Sequence, residues 1–352
     1  MGYICPYCGE GLPEDEICPC QSFGNDRDDE RETRSVISGP LTAELADTRS
    51  PVRQFLNVEF TAGLPDVQRR YREAAPALVV PSSAPSEAHP RTVGTAADWL
   101  LRFLVHPAPH LDLAFRGAAV CSAVGIRIPR AALDDILNSL GLAVPPRPSE
   151  TACAFSGPNA GITVDPVVLN RVCWVLALLT EAFRGGPRVA ALGPLSRFRG
   201  RAVSAADMLG MASEAALHQL TQFRQVYEAT LLPALASRRG RWTIGPTFTG
   251  SKLMKADADL IAAGLLVELK TTAKRPSLGV VELFQVIGYA LLDFDDEFSI
   301  DTVGLFSARY AYLATWSLGS LFDELAGHPV SLAVARAQFR DLLVTCSTHA
   351  VR

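Results

Sequence analysis

The chain has 352 residues, of which 48% are hydrophobic and 20% charged, and its formal net charge is −4. This length allows one large domain or two ordinary ones, with a sizeable buried core. No apolar run reaches the roughly 18 residues that span a bilayer, and the N-terminus lacks the features of a secretory signal, so the composition predicts a soluble, cytoplasmic protein with no membrane partner.

A cysteine motif, Cys5-Pro-Tyr-Cys8-Gly, stands near the N-terminus and is followed by Cys18-Pro-Cys20. Two thiolates on a tight turn point the same way, and a second pair completes a tetrahedral zinc site. The second pair is spaced Cys-x-Cys instead of Cys-x-x-Cys, so a cysteine-rich tail without metal is the alternative. We expect residues 1–21 to form a zinc-ribbon-like knuckle that binds structural Zn²⁺ and recruits DNA or protein partners; its ligands are Cys5, Cys8, Cys18 and Cys20.

Residues 22–90 have the composition of a flexible linker. A charged run over 26–32 is followed by a segment rich in Pro, Ser and Ala, and such sequences bury too little apolar surface to fold alone. The pattern is compatible with one short helix near 65–74. The knuckle is therefore predicted to be tethered to the main body and not packed rigidly on it.

The negative net charge is concentrated at the N-terminus. Residues 1–34 hold nine acidic side chains and three Arg, a charge of −6, so the remainder carries +2. Most charge runs are solvated surface, and a weakly basic body is compatible with nucleic-acid binding without predicting it. The remainder contains three basic clusters: Arg197, Arg199 and Arg201; Arg238, Arg239 and Arg241; Lys274 and Arg275.

Residues 91–203 form a predicted helical region. Apolar spacing indicates helices over 97–105 and 130–140, and a longer one that starts at Asp165 and stops at Gly185-Gly186. A further amphipathic helix over 204–227 opens the last predicted domain, 204–352. No function can be read from the helical region itself.

The pattern changes to strands after Gly240. Three short strands are predicted over 241–248, 255–262 and 265–272, with Gly264 at the turn between the last two. A helix over 277–293, strands over 301–308 and 311–317, and closing helices over 318–326 and 330–343 follow. The predicted fold class is α/β, with an αβββαβ core and an added N-terminal helical region.

Three charged residues on the predicted hairpin are the candidate catalytic centre. Asp259 lies near the end of one strand, and Glu268 and Lys270 lie two apart on the next, so the latter two share a face that would otherwise be core. Burying them unpaired is costly. A divalent cation between Asp259 and Glu268 relieves that cost, and oxygen ligands suit Mg²⁺ or Mn²⁺. Such a cation with a nearby lysine is suited to phosphodiester hydrolysis.

The next predicted helix carries a polar stripe. Glu282, Gln285 and Tyr289 fall at i, i+3 and i+7 on a helix otherwise filled with Leu, Phe, Val and Ile. Gln285 and Tyr289 are therefore candidates to contact a nucleic-acid phosphate or to support Lys270.

These residues resemble the PD-(D/E)XK nucleases, and among them the RecB-like branch. Asp259, Glu268-Leu-Lys270 and Gln285-Val-Ile-Gly-Tyr289 match its three motifs in order, and the αβββαβ order agrees. The resemblance covers about residues 204–318. It implies a Mg²⁺- or Mn²⁺-dependent nuclease that acts on DNA in repair, restriction or defence, with RNA not excluded. The implied catalytic residues are Asp259, Glu268, Lys270, Gln285 and Tyr289, and Asp259 and Glu268 bind the metal.

Several alternatives stay open. Asp257 is a second candidate for the first metal ligand, although Asp259 has the usual spacing. RecB-like nucleases often have a further ligand on an upstream helix, for which the candidates are Glu181, Glu214 and His218. The alternative to a catalytic role for Glu268 and Lys270 is that they form a structural ion pair. The alternative function is a catalytically inactive nuclease fold that binds DNA or serves as a scaffold.

Overall fold

The computed structural model describes residues 3–4, 11–12, 37, 39–142, 153–156, 163–273 and 278–349. Two short strands, β1 (Tyr3–Ile4) and β2 (Gly11–Leu12), pair antiparallel near the N-terminus. The four predicted zinc ligands lie outside the described residues, as do Lys274 and Arg275.

Helices make up most of the described chain. Before the main sheet begins they are α1 (Leu41–Ala46), α2 (Pro51–Glu59), α3 (Leu64–Ala74), α4 (Pro90–Val105), α5 (Asp112–Ala123) and α6 (Arg130–Asn138). After strand β3 (Cys153–Ser156) they continue as α7 (Pro166–Leu192), α8 (Ala205–Leu209), α9 (Glu214–Val226) and α10 (Leu232–Ala236). The last three are α11 (Val280–Leu292), α12 (Leu318–Ala326) and α13 (Leu332–His349).

Six strands form one mixed sheet in the order β3-β4-β5-β6-β7-β8. The strands after β3 are β4 (Arg241–Ile244), β5 (Leu260–Ala262), β6 (Leu265–Lys270), β7 (Thr302–Ser307) and β8 (Tyr312–Ser317). All neighbours pair antiparallel except β6 and β7, which are parallel because α11 returns the chain between them. The predicted α/β class is confirmed, and the five strands predicted after Gly240 are present.

Helices cover both faces of the sheet. Leu265, Val267 and Leu269 of β6 belong to a core shared with α4, α5, α7 and α9, whereas Leu266 belongs to a second core shared with α1–α3 and α11–α13. Successive side chains of a strand point to opposite faces, so Glu268 and Lys270 lie on the same face as Leu266. Two buried layers therefore meet at β6, which explains its nearly continuous apolar sequence.

Residues 39–90 differ from the predicted flexible linker. They form α1, α2 and α3, and Leu45, Val52, Leu56 and Val67 are fully buried in the second core. The amide nitrogens of residues 79 and 80 donate to the Arg309 carbonyl, which ties the end of this segment to the sheet. The prediction relied on overall composition. A few apolar residues at helical spacing are enough to bury one face of a helix, even in a charged and proline-rich segment.

The predicted boundary between a helical region and a sheet domain also differs from the structure. Strand β3 comes from the helical region and pairs with β4 at one edge of the sheet. The predicted helix over 204–227 is two helices, because α8 ends at Gly210 and α9 starts after Ser213, whose side chain accepts from the amide of residue 216. An N-cap serine satisfies an amide that the helix leaves free, so it marks a new start.

Among the described residues, α7 is the one helix long and apolar enough to cross a membrane by length and composition. In its most apolar window, however, 67% of the residues are buried inside the protein, as in the core helix of a soluble fold. Gly186, with φ 68° and ψ −165°, breaks the helical backbone just before Pro187. This break confirms the predicted stop at Gly185-Gly186.

Candidate active site

Asp259 and Glu268 lie opposite each other. Leu260 pairs with Val267 in the antiparallel β5–β6 ladder, and the register continues to Asp259 and Glu268. The Leu269 amide donates to Asp259 Oδ2 at 2.7 Å. The tight turn at residues 263–264 permits this register, because both residues adopt positive φ there (45° and 83°). The hairpin therefore brings together the two carboxylates that the sequence predicted as metal ligands.

Gln285 and Tyr289 join Glu268 and Lys270 in one hydrogen-bonded network. The Lys270 ammonium donates to Glu268 Oε1 at 3.1 Å and to Gln285 Oε1 at 2.8 Å. Gln285 Nε2 donates to Glu268 Oε1 at 2.8 Å and to the Tyr289 hydroxyl at 2.7 Å. The spacing of four residues places Gln285 and Tyr289 one turn apart on α11, facing β6. The network orients the Lys270 ammonium from both sides.

Burial sets the charge state of these groups. The pKa of Asp259 is raised well above its ordinary value. Burial is the largest cause, and the charge of the Glu268 carboxylate is the second. Burial also raises the pKa of Glu268, and the Lys270 ammonium opposes part of that shift. For Lys270, burial alone would lower the pKa, but Glu268 outweighs it and keeps the pKa above its ordinary value. The site thus holds two carboxylates that resist ionising together beside a charged lysine.

A divalent cation fits this arrangement. Glu268 Oε2 is buried and has no hydrogen-bond partner, and such an oxygen is costly unless something positive lies against it. Asp259, the opposite carboxylate, is destabilised in its charged form by Glu268. A cation between the two relieves both costs. Among the described residues, no group of three or more His, Cys, Asp or Glu side chains converges, but Mg²⁺ is often held by one or two carboxylates with waters and phosphates.

The four alternative ligands differ in their surroundings. Asp257 is exposed and accepts from Arg184 at 2.9 Å. Glu214 is 91% exposed and faces Arg171, and His218 is exposed on α9. Glu181 accepts from the Thr92 hydroxyl of α4 at 3.1 Å, while its Oε1 is buried without a hydrogen-bond partner. Burial, and to a smaller extent the Asp257 carboxylate, raises the pKa of Glu268, so Asp257 stays a candidate ligand.

Helix α4 adds two charged residues that the sequence reasoning missed. Arg102 Nε donates to both carboxylate oxygens of Asp98 at 3.0 Å, and both side chains are largely buried. Asp98 raises the pKa of Asp259, whereas Arg102 lowers it, both after the larger effect of burial. Their spacing of four residues inside the apolar run 96–105 was the available signal, because a buried helix face seldom carries an unpaired charge.

The end of β6 packs closely against the start of α4. A Cβ atom at Gly94 would lie 2.8 Å from the Thr271 hydroxyl, so a larger residue at position 94 would require the Thr271 side chain to move. Arg309 Nε donates to the Thr271 carbonyl at 2.6 Å. These contacts hold the backbone that follows Lys270 from two sides.

The cation at position 270 differs in kind from most cations of the chain. The chain contains 33 Lys and Arg residues, of which only four are Lys: Lys252, Lys255, Lys270 and Lys274. All four lie within the segment that contains the hairpin. Because nearly all cationic side chains of this chain are arginines, the lysine at position 270 is unusual. An ammonium is a compact point charge, whereas a guanidinium is a broad planar group.

No protein-family model matches this sequence, and the comparisons with curated proteins and with solved structures gave no match either. The chemistry of the site has therefore to be inferred from its own residues.

Replacing Asp259 with asparagine should stabilise the metal-free protein. The folded-state pKa of Asp259 is raised, so its destabilising effect is absent below the unfolded pKa near 4, grows as pH rises, and is complete above the folded pKa. We expect Asp259→Asn to raise the Tm in chelator by about 2–4 °C at pH 8 and by much less at pH 4. Thermal unfolding across that pH range measures the effect.

Two further results of the same series are decisive. Mg²⁺ should raise the Tm of the wild type and leave that of Asp259→Asn unchanged. An Asp257→Asn variant, which alters an exposed carboxylate, is the matched control and should behave like the wild type. Equal stabilisation by the two substitutions would contradict this account of the Asp259 environment.

Proposed function

We propose that this chain is a metal-dependent nuclease of the PD-(D/E)XK type, close to the RecB-like branch. The observation that carries the proposal is the hydrogen-bonded network of Glu268, Lys270 and Gln285, with Asp259 opposite Glu268, at one end of the β5–β6 hairpin. Each of these residues was selected from the sequence by its resemblance to the family, and their side chains converge. A structural ion pair alone would not need the opposite carboxylate, nor an unpartnered Glu268 oxygen.

The residues have separate roles in this proposal. Asp259 and Glu268 would hold Mg²⁺ or Mn²⁺, which supplies charge to polarise a phosphate and to acidify a bound water. The Lys270 ammonium lies where it can orient the attacking water or stabilise negative charge on the phosphate. Gln285 holds that ammonium in place, and Tyr289 holds Gln285 while stacking on Phe248 with ring centroids 5.6 Å apart.

The proposed substrate is DNA, with RNA not excluded, and the proposed context is repair, restriction or defence in the cytoplasm. Phosphodiester hydrolysis fits a pair of carboxylates, one buried and one half-buried, with one lysine, since the reaction needs positioning and electrostatic stabilisation. The Zn²⁺ knuckle at residues 1–21 is proposed to recruit DNA or protein partners.

Cleavage assays test the proposal directly. Purified full-length chain is incubated with end-labelled linear and closed circular DNA, single- and double-stranded, in Mg²⁺, Mn²⁺ or chelator. We expect cleavage that requires the metal and that Glu268→Ala abolishes, with DNA binding retained. Cutting of closed circles would assign endonuclease action. If wild type and Glu268→Ala are equally active, or if neither cuts DNA or RNA, the proposal fails.

A catalytically inactive nuclease fold that binds DNA is the second candidate. The observation in its favour is that, among the described residues, no group of three or more His, Cys, Asp or Glu side chains is arranged to hold a metal ion. Metal distinguishes the two. A binder should keep its Tm when Mg²⁺ is removed and its DNA affinity when Asp259 is replaced, whereas the proposed nuclease should gain Tm on adding Mg²⁺.

Gln285→Leu should lower cleavage by about 10–100-fold, because it removes the acceptor that positions Lys270 and leaves Glu268 with one hydrogen bond fewer. The substitution keeps a similar volume in a buried position, so the fold should persist. Steady-state kinetics should show the loss in kcat and not in KM. Tyr289→Phe removes only the hydroxyl that holds Gln285, so it should lower the cleavage rate by about tenfold or less. An equal loss in both variants would contradict the proposal that Tyr289 acts on Lys270 only through Gln285.

A further inference from the structure

An arginine-rich surface lies at one end of the helical layer that covers the first core. Residues 182–206 contain five Arg and no Asp or Glu, and residues 113–133 contain three Arg and no Asp or Glu. All eight of these arginines are exposed, and Arg130 and Arg201 pair with Asp134 and Asp207. Five of the others define what we call the arginine surface: Arg127, Arg184, Arg188, Arg197 and Arg199. Among the described residues, Arg184 is the one member that pairs with a carboxylate.

Contacts around Arg199 bring the two segments together. The Gly200 amide donates to the Gly125 carbonyl, which follows the end of α5, at 3.5 Å. The Arg199 guanidinium donates to the Ala191 carbonyl in the last turn of α7 at 3.2 Å. The C-terminal ends of α5 and α7 therefore meet here. Helix C-termini carry partial negative charge that favours cations, so the arginines are stabilised where they lie without acidic partners.

Arg184 links the arginine surface to the candidate active site. Its guanidinium donates to Asp257 Oδ2 at 2.9 Å, with both side chains about half exposed. Asp257 stands two residues before Asp259 on the chain. Burial lowers the pKa of Arg184, but the carboxylate of Asp257 raises it, and those of Asp98 and Asp259 raise it further. Arg184 is therefore the member of the arginine surface that contacts the segment leading into the candidate active site.

The second basic cluster of the sequence has a different environment. Arg238 pairs with Asp301 at 3.3 Å, and Arg241 pairs with Glu297 at 3.1 Å. Their charge is largely neutralised by carboxylates of the sheet domain. Charge density without acidic partners thus distinguishes the arginine surface from other basic runs on the described chain.

We infer that the arginine surface binds the phosphate backbone of the nucleic-acid substrate and leads it to Asp259, Glu268 and Lys270. The inference rests on the proposed function for the direction of the strand, while binding itself does not depend on catalysis. Arginine suits this role because its planar fork matches phosphate oxygens. The helical layer, to which the sequence assigned no function, becomes the substrate-binding part of the molecule.

Charge reversal tests this inference. The full-length variant Arg127→Glu/Arg188→Glu/Arg197→Glu alters three exposed side chains and leaves Arg184 and the active site unchanged. Binding of fluorescent 30-nucleotide single strands and 30-bp duplexes is measured by anisotropy in chelator, so that no cleavage occurs. We expect the Kd to rise by about tenfold or more, and the dependence of log Kd on log salt to lose about 0.9 for each phosphate contact removed.

A second triple variant, Arg72→Glu/Arg239→Glu/Arg340→Glu, is the matched control. It has the same net charge and also alters exposed arginines, but none belongs to the arginine surface. If both variants weaken DNA binding equally, the effect follows from net charge alone and the inference is overturned. It is also overturned if the first variant binds DNA with wild-type affinity. Loss of binding to phosphatidylserine vesicles with unchanged DNA binding would overturn it in favour of a membrane surface.

Cleavage assays on the same proteins separate this inference from the proposed function. If the wild type binds DNA through the arginine surface but cuts nothing, the surface stands and the nuclease proposal fails. If the wild type cuts DNA and the first variant binds and cuts as well as the control, the nuclease stands and the surface is wrong.

Discussion

Replacing Lys270 with alanine should lower metal-dependent cleavage by about 10³-fold, the size of effect that follows loss of one preorganised electrostatic contact at a reacting group. Lys270→Arg should still lose about 10²-fold despite keeping the charge, because a broad guanidinium cannot replace an ammonium that lies 3.1 Å from Glu268 and 2.8 Å from Gln285. Single-turnover cleavage rates at saturating protein measure both losses without interference from binding.

Two controls make this result specific to catalysis. Lys255→Ala removes an exposed lysine from the same segment and should leave the cleavage rate unchanged. The Lys270 side chain is 26% exposed, so its truncation should leave the Tm within a few degrees of the wild type and DNA affinity within about twofold. Full activity of Lys270→Arg would show that only charge is needed at this position and would contradict the geometric argument.

Replacing Arg309 with methionine should lower the free energy of unfolding by about 3 kcal/mol. The guanidinium is 2% exposed and donates to the carbonyls of residues 80, 81 and 271 and to Gln219 Oε1. Methionine fills a similar volume but leaves these four acceptors, of which those of Val80 and Gln219 belong to buried residues, without their donor. Burial lowers the pKa of Arg309 to about 10, which reflects how far this cation is removed from water.

Chemical denaturation of the two matched variants checks this expectation. Arg340→Met, which alters an exposed arginine that lies over the Phe294 ring at 5.7 Å, should change the free energy of unfolding by no more than about 0.5 kcal/mol. Arg309→Met should also expose the segment around residue 80 to protease before the rest of the chain. Unchanged stability of Arg309→Met would mean that water replaces the guanidinium at no cost.

Local sequence patterns predicted the elements that surround the candidate site. The strands and the helix between residues 241 and 317 are present, with ends displaced by up to a few residues. Two residues on one strand face share a direction by the geometry of the strand alone. For that reason Glu268 and Lys270 could be paired from the sequence, as could Gln285 and Tyr289 on their helix.

Helices that owe their stability to long-range packing were harder to predict. Residues 41–74 have a linker-like composition, yet Phe60 stacks edge-on against Phe322 with ring centroids 4.8 Å apart. Arg70 likewise pairs with Glu324, 254 residues away. Such contacts supply the burial that offsets the entropy of ordering the segment, and no local pattern contains them.

The sequence by itself determined which residues are candidates for chemistry, because periods of two and of 3.6 residues assign side chains to faces. It also determined the α/β class, through the alternation of strand and helix signals. Only the tertiary structure decided which charges meet. Asp98 and Arg102 reach the site from a helix about 160 residues earlier in the chain, and Arg184 reaches Asp257 across 73 residues. Electrostatic interaction depends on distance in space and on burial, and the order of residues along a chain specifies neither.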